Sequence, residues 1–309
     1  PLEGKPPSPA IPRAPSKERA ACDDAFRRAS GGDLAGAAEV FARQAQLSEC
    51  WEAKSGVQLV EGMRLTAAGD RKGGLAATTG AIALAPELPW ALVGRSDLFR
   101  DMEDIRASAA DAHRAYHIAP EEPHVLARRA AVRYRWGDHE GATADCDGAL
   151  SGDPTNALAL AIRGALRNAR GDAEGASKDL DEAIRLWPTC SCAFTSRAWL
   201  RCARQEDAQA REDIERALAL NRTDCRALML GAQYLILDYA FQDACRQLDE
   251  VIATNSEYAL AYALRAQARG HLGDLDGALS DCDTTLRINP QDEQTRQLRS
   301  EIQDLRKRR

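Results

Sequence analysis

A 34-residue period runs through most of this chain, and it restricts the possible folds more than any other feature of the sequence. Gly-Asp pairs stand at Gly69-Asp70, Gly137-Asp138, Gly171-Asp172 and Gly273-Asp274, and Glu103, Gln205 and Tyr239 occupy the intermediate steps. A further pair, Gly32-Asp33, lies three residues off this beat. Prolines keep the same stride at Pro86, Pro120, Pro154, Pro188 and Pro290, with Arg222 and Ser256 in the two remaining places. Small residues form a third track through Gly74, Ser108, Ala142, Ala176, Ala210, Ala244 and Ala278. Two more run through Ala81, Ala115, Ala149, Ala183, Ala217, Val251 and Thr285, and through Gly62, Ser96, Ala130, Gly164, Ala198, Ala232 and Ala266.

Each track has a physical cause. A glycine closes a first helix in the left-handed conformation, and the aspartate after it starts a second. A proline cannot continue that second helix and so stops it. Small residues let two antiparallel helices approach closely, where a bulkier side chain would overpack the contact. The repeating unit is therefore a helix hairpin, and since one hairpin cannot bury its apolar face alone, neighbours must stack. Composition agrees with an all-α chain. The apolar fraction of 44% contains only 5% aromatic residues, so much of it is Ala and Leu, both strong helix formers.

The 34-residue period, the small–small–small spacing and the closing proline resemble the tetratricopeptide repeat, most closely in AYALRAQARGHLGDLDGALSDCDTTLRINP, residues 261–290. The resemblance implies an all-α, right-handed superhelical α-solenoid of about eight helix-turn-helix units with a C-terminal capping helix. The units fall at 18–54, 55–88, 89–122, 123–156, 157–190, 191–224, 225–258 and 259–292. A Pro-rich extended leader is expected over 1–17, where too few large apolar residues exist to pack. Residues 293–309 are expected to form the capping helix, with Leu298, Ile302 and Leu305 on one stripe and a basic end that suits a helix C-terminus.

Two positions change together along the repeats. The seventh residue is Arg95, Arg129, Arg163, Arg197 and Arg265 in five units, and the twenty-third is Asp111, Asp145, Asp179, Asp213 and Asp281 in the same five. Units without the arginine also lack the aspartate: Glu61 with Ala77, Gly231 with Gln247, and Asp24 with Val40. Contact between the two helices of one hairpin is the simplest cause. A guanidinium grips a carboxylate in two places, so five partly buried structural ion pairs are expected.

No chemistry emerges from the remaining residues. No Gly-rich phosphate loop, Ser nucleophile elbow or His-Glu metal motif is present. His113 and His117 share a face of a second helix, but the inward positions there belong to Ala112 and Ala115. Cys190 and Cys192 lack a second ligand pair, and Cys146 and Cys282 sit where a small apolar residue belongs. No catalytic residue, metal or cofactor is expected. A net charge of -6 speaks against a nucleic-acid partner, and no apolar run is long enough to cross a bilayer. Nine scattered cysteines, an odd number, suit a reducing, intracellular compartment: the cytoplasm, or an organelle after removal of a transit peptide. The chain begins at Pro1 without a hydrophobic signal core, so it reads as a processed form or a piece of something longer.

The resemblance also implies that the first helix of each hairpin lines a concave groove with its second, fifth, sixth, ninth and twelfth residues. These positions supply Leu158, Ile162, Cys192, Thr195, Trp199, Arg226, Met229, Leu230 and Gln233, with Trp90 and Arg128 nearer the N-terminus. Their mostly apolar character implies a protein partner, an amphipathic helix or an extended segment, and no small-molecule substrate. Some family members grip a chaperone's C-terminal carboxylate with Lys, Asn and Arg residues. Here Val93, Asp97, Arg128, Leu158 and Ile162 stand at those places, which argues against a co-chaperone. An interaction adaptor is the first reading and a permanent subunit of a large assembly the alternative. RNA-binding helical repeats have a longer period and basic code positions, and an enzyme would need a clustered polar pocket.

Overall fold

The computed structural model describes residues 16–30, 33–47 and 50–308. Most of the expected leader lies outside these residues. Its last two positions, 16 and 17, belong to the first helix instead. Among the described residues the chain is all-helical, with no strand.

Two compact units divide it. The first takes the chain up to Asn156 apart from Asp101–Glu103. It holds α1 (Ser16–Ser30), α2 (Leu34–Leu47), α3 (Trp51–Ala67), α4 (Arg71–Leu84), α5 (Pro89–Asp101) except its last residue, α6 (Ile105–Ile118), α7 (Pro123–Trp136) and α8 (His139–Gly152). The second runs from Ala157 and includes Asp101–Glu103. It holds α9 (Ala157–Ala169), α10 (Ala173–Leu186), α11 (Ser191–Ala203), α12 (Asp207–Leu220), α13 (Cys225–Leu237), α14 (Phe241–Thr254), α15 (Ala259–Leu272), α16 (Leu275–Ile288) and α17 (Glu293–Lys307). Within each unit the helices pack in sequential pairs, such as α3 with α4, α7 with α8 and α15 with α16, and pairs also touch the next, as α6 touches α7 and α14 touches α15.

The second helices begin at Arg71, Ile105, His139, Ala173, Asp207, Phe241 and Leu275, a constant step of 34 residues. Helix α2 begins three residues off that step. The slip is absorbed by α3, whose 17 residues exceed the 13 or 14 of the later first helices by about one turn. The extra turn starts after Cys50, whose Sγ accepts a hydrogen bond from the Ala53 N–H.

The turn inside each hairpin follows one pattern. Gly69, Gly137, Gly171 and Gly273 have φ between 81° and 91°. The next residue donates its N–H back five residues, as Asp138 does to the Arg133 carbonyl at 2.9 Å. This is the six-to-one bond of a left-handed helix terminus. The aspartates then cap the second helices: Asp70, Asp104, Asp138, Asp172 and Asp274 each accept an N–H three residues on. Glu103, Gln205 and Tyr239 reach the same left-handed region at φ 60–61° without being glycine.

Second helices stop two residues before the proline track. The residue before the proline is extended, with Ala85 at φ -138° and ψ 78°. Where Arg222 and Ser256 replace proline, Asn221 and Asn255 adopt nearly the same angles. Their side-chain oxygens accept the N–H groups of Thr223 and Glu257, an Asx turn that Asp153 and Asn289 also make ahead of Pro154 and Pro290.

Close helix approach explains the small residues. A Cβ on Gly164 would stand 2.7 Å from the Leu180 side chain, and one on Gly62 would stand 2.7 Å from Thr78. In the α5–α6 hairpin, Ser96 and Ser108 meet instead, each hydroxyl bonded to the other residue's carbonyl at 2.9 and 2.8 Å. Ala81, Ala115, Ala149, Ala183, Ala217, Val251 and Thr285 are all wholly buried. Between them Leu180, Leu200 and Leu248 fill the core, each contributing roughly 1.5–3 kcal/mol by its burial. Helix α17 covers the last hairpin through Ile302, which packs on Ala266, Leu275, Ala278 and Cys282, with Leu298 beside it. The expected stripe ends there. Leu305 is 51% exposed, because the final turn of α17 carries it away from that cluster.

Candidate partner-binding face

The most regular polar feature is a ladder of arginine–aspartate forks, each joining the two helices of one hairpin. In the first unit Arg95 holds Asp111 at 2.7 and 2.9 Å, and Arg129 holds Asp145 at 2.8 and 2.5 Å. In the second unit the forks are Arg163–Asp179, Arg197–Asp213 and Arg265–Asp281, with all six bonds between 2.7 and 2.9 Å. Every one of these aspartates is buried. Hydrogen bonds to Asp111 raise the Arg95 guanidinium above its ordinary value. At Arg197 burial works against the charge, but the bonds to Asp213 and Asp181 outweigh it.

Two extensions of the ladder escape the sequence pattern of the pairs. One turn after the fork, Arg133, Arg167, Arg201 and Arg269 each reach the same aspartate, at 3.1, 2.7, 2.8 and 2.9 Å. Forks also bridge to the preceding hairpin: Arg197 bonds Asp181 at 2.7 Å and Arg265 bonds Asp249 at 2.5 Å, both 16 residues back. Where the pair is missing in the α13–α14 hairpin, Gln247 faces Gly231, and its Oε1 is enclosed with no hydrogen-bond partner among the described residues.

The residues expected to meet a partner separate by burial. In the first unit Trp90 is only 4% exposed, stacked on Phe26 at 5.6 Å and edge-on to His124 at 5.5 Å. It fills the space between helices and offers no contact surface. Arg128 is buried too, bonded to Asp97 at 3.1 Å, and Arg100 shares that carboxylate at 2.8 Å. In the second unit Leu158, Ile162, Thr195, Met229 and Leu230 are buried among neighbouring helices. Thr195 donates to the Asp224 carboxylate at 2.7 Å, and Asp224 in turn caps α13. Sequence spacing assigned these positions to a helix face. Packing between first helices, α9 with α11, α11 with α13 and α13 with α15, lies along that face, and Met229 sits in the α13–α15 cluster with Leu248 and Leu264.

Four of the expected residues remain partly exposed: Cys192 and Trp199 on α11, and Arg226 and Gln233 on α13. Each pair is seven residues apart, two helical turns along one stripe, and α11 packs beside α13. Trp199 packs against the apolar cluster that Ala198, Ala210, Ile214, Leu230 and Tyr234 form. Its Nε1–H is enclosed and has no acceptor among the described residues.

No family model matches the chain, and no curated protein matches it. Solved structures do. A chain of the APC/C hetero-tetramer Cut9-Hcn1 aligns over 87% of this chain and 52% of its own, at 11% identity and a TM-score of 0.61. This chain thus spans about half the length of that one. PilF of Pseudomonas aeruginosa aligns over 69% of this chain and 97% of its own, at 21% identity and a TM-score of 0.49. A tetratricopeptide repeat protein of Parabacteroides merdae covers 81% and 99% respectively, at 17% identity and a TM-score of 0.46. This chain has the tetratricopeptide-repeat fold.

Within the tetratricopeptide-repeat hairpins, the sequence reading missed one exposed cluster. At the α13–α14 turn Leu237 is 67% and Tyr239 is 80% exposed. Tyr239 meets the edge of Phe241, which stacks on His271 at 4.5 Å. The signal was available in part, because Tyr239 is the one aromatic residue at the position where the sister turns carry Gly69, Glu103, Gly137, Gly171, Gln205 and Gly273. His113 and His117 are both exposed on α6, and none of the nine cysteines is held in a disulfide. No helix of the described residues is long and apolar enough to cross a membrane.

Proposed function

We propose that this chain is a non-enzymatic protein-interaction scaffold that holds an apolar helix or extended segment of another protein against the α11–α13 face. The observation that carries this reading is Trp199. It is a large ring, partly exposed, with an indole N–H that has no acceptor among the described residues. An unmet donor costs stability in the free chain, and a turn of the ring toward a partner carbonyl would recover it. Tryptophan and arginine concentrate binding energy at interfaces, and Arg226 stands on the adjoining helix. The negative net charge supports a protein partner over nucleic acid.

Photo-cross-linking from position 199 tests the reading, with position 216 on the outer face of α12 as control. The expected result is one dominant polypeptide adduct from 199 and none from 216. Trp199→Asp should abolish capture of that polypeptide while leaving the helical circular dichroism unchanged. Equal adducts from both positions, or full capture by Trp199→Asp, would move the binding surface elsewhere.

Permanent membership of a large assembly is the second reading, supported by the likeness to a chain of the Cut9-Hcn1 hetero-tetramer. Sedimentation of the purified chain separates the two. A stable soluble monomer supports the adaptor, and recovery only as an aggregate or with a bound partner supports the subunit.

A further inference from the structure

The Sγ atoms of Cys190 and Cys192 lie 3.0 Å apart. That is only about 1 Å beyond a disulfide bond of about 2.05 Å. Regular helical geometry would point the two side chains to opposite sides. They meet here because Cys190 is the N-cap of α11, with an extended backbone at φ -80° and ψ 94°, while Cys192 already lies in the first turn. Neither thiol is engaged in a disulfide. Burial differs sharply between them: Cys190 is 2% exposed, whereas Cys192 reaches solvent.

We infer that Cys190 and Cys192 form a redox-active dithiol that low-molecular-weight disulfides oxidise reversibly. The Cys192 thiol loses its proton to solvent and attacks one sulfur of the small disulfide. A Cys192–S–S–R bond forms, the S–S bond of the reagent breaks, and the released thiolate takes up a proton. Cys190, which the reagent itself cannot reach, then loses its proton and attacks the Cys192 sulfur. The Cys190–Cys192 bond forms and the second small thiol leaves. Two protein thiols have lost two electrons, and one disulfide has become two thiols. The bond ties the N-cap of α11 to its first turn, beside the Thr195–Asp224 contact that joins α11 to α13. The inference does not depend on the proposed partner, since its readout is the mass of one peptide.

The test incubates the reduced full chain with glutathione disulfide, then alkylates it after unfolding and maps the peptides by mass spectrometry. The peptide spanning residues 186–197 should lose both alkylation sites and two hydrogens, with no glutathione attached, and dithiothreitol should restore both sites. In Cys190→Ser a glutathione adduct should persist on Cys192. In Cys192→Ser, Cys190 should stay alkylatable and unmodified. A lasting adduct on wild-type Cys192, no loss of alkylation in that peptide, or oxidation of Cys190 in Cys192→Ser would each overturn the inference. The wild-type result decides by itself if a variant fails to fold.

Discussion

Arg197 and Asp213 are locked in a two-pronged ion pair, Nε to Oδ2 at 2.9 Å and Nη2 to Oδ1 at 2.8 Å, across the α11–α12 hairpin. Arg201 adds a third bond to the same carboxylate at 2.8 Å. Removing the buried partner takes the fork from Arg197 and the third bond from Arg201, and leaves them, among the described residues, only Asp181 and the Gln209 carbonyl. Asp213→Ala should therefore lower stability by about 1.5–3 kcal/mol, the range for a lost charged hydrogen bond, read from the urea midpoint. Glu182→Ala breaks a solvent-facing fork with Arg185 and should leave the midpoint unchanged. Equal effects of the two substitutions would show that the ladder carries no special weight.

Gln205 holds a left-handed backbone at φ 60° where four other hairpins use glycine. That conformation costs a residue with a Cβ about 1–2 kcal/mol, against about 0.5–1 kcal/mol for the greater chain entropy of glycine. Gln205→Gly should thus raise stability by about 0.5–1 kcal/mol. Gly171→Gln, at φ 83°, should lower it by a similar amount. Midpoints moving in the same direction for the two substitutions would contradict the argument.

Ala240 sits at the N-cap of α14 without a side-chain bond, where five sister helices have a capping aspartate. Ala240→Asp should add about 1 kcal/mol of stability. Its amide N–H already donates to the Leu235 carbonyl at 2.8 Å, so the backbone is in place to receive the cap. Slower hydrogen exchange in the first turn of α14 is the accompanying readout.

Burial, with the neighbouring Cys50, pushes the Cys22 thiol up to about 12, and burial, with Asp281 and Asp283, pushes Cys282 up to about 11. Both groups keep their proton longer in the folded chain than at the ordinary value of 9.0. Above that value the unfolded chain binds fewer protons than the native one, so stability falls as pH rises. The contribution is complete below pH 9 and is lost as pH climbs through the folded values. Cys22→Ala and Cys282→Ala should each flatten the alkaline decline, whatever they do to stability at neutral pH. Denaturant midpoints across an alkaline series measure the slope, and a slope equal to wild type would refute the assignment.

By itself the sequence determined the hairpin, its stride and its ladder. A left-handed turn, a helix stop, a close helix crossing and a two-pronged ion pair are local demands, each met by one residue type at one place in every repeat. Arg163 and Asp179 change in step with their counterparts because one touches the other. The tertiary structure alone decided which residues of a helix face stay open. Trp90, Met229 and Leu230 obey the same spacing as Trp199, yet they are buried and Trp199 is not. Burial depends on how far the neighbouring helices reach over each position. Cys190 and Cys192 meet for a similar reason: an extended N-cap turns one thiol toward the other, and a spacing of two on a regular helix would have kept them apart.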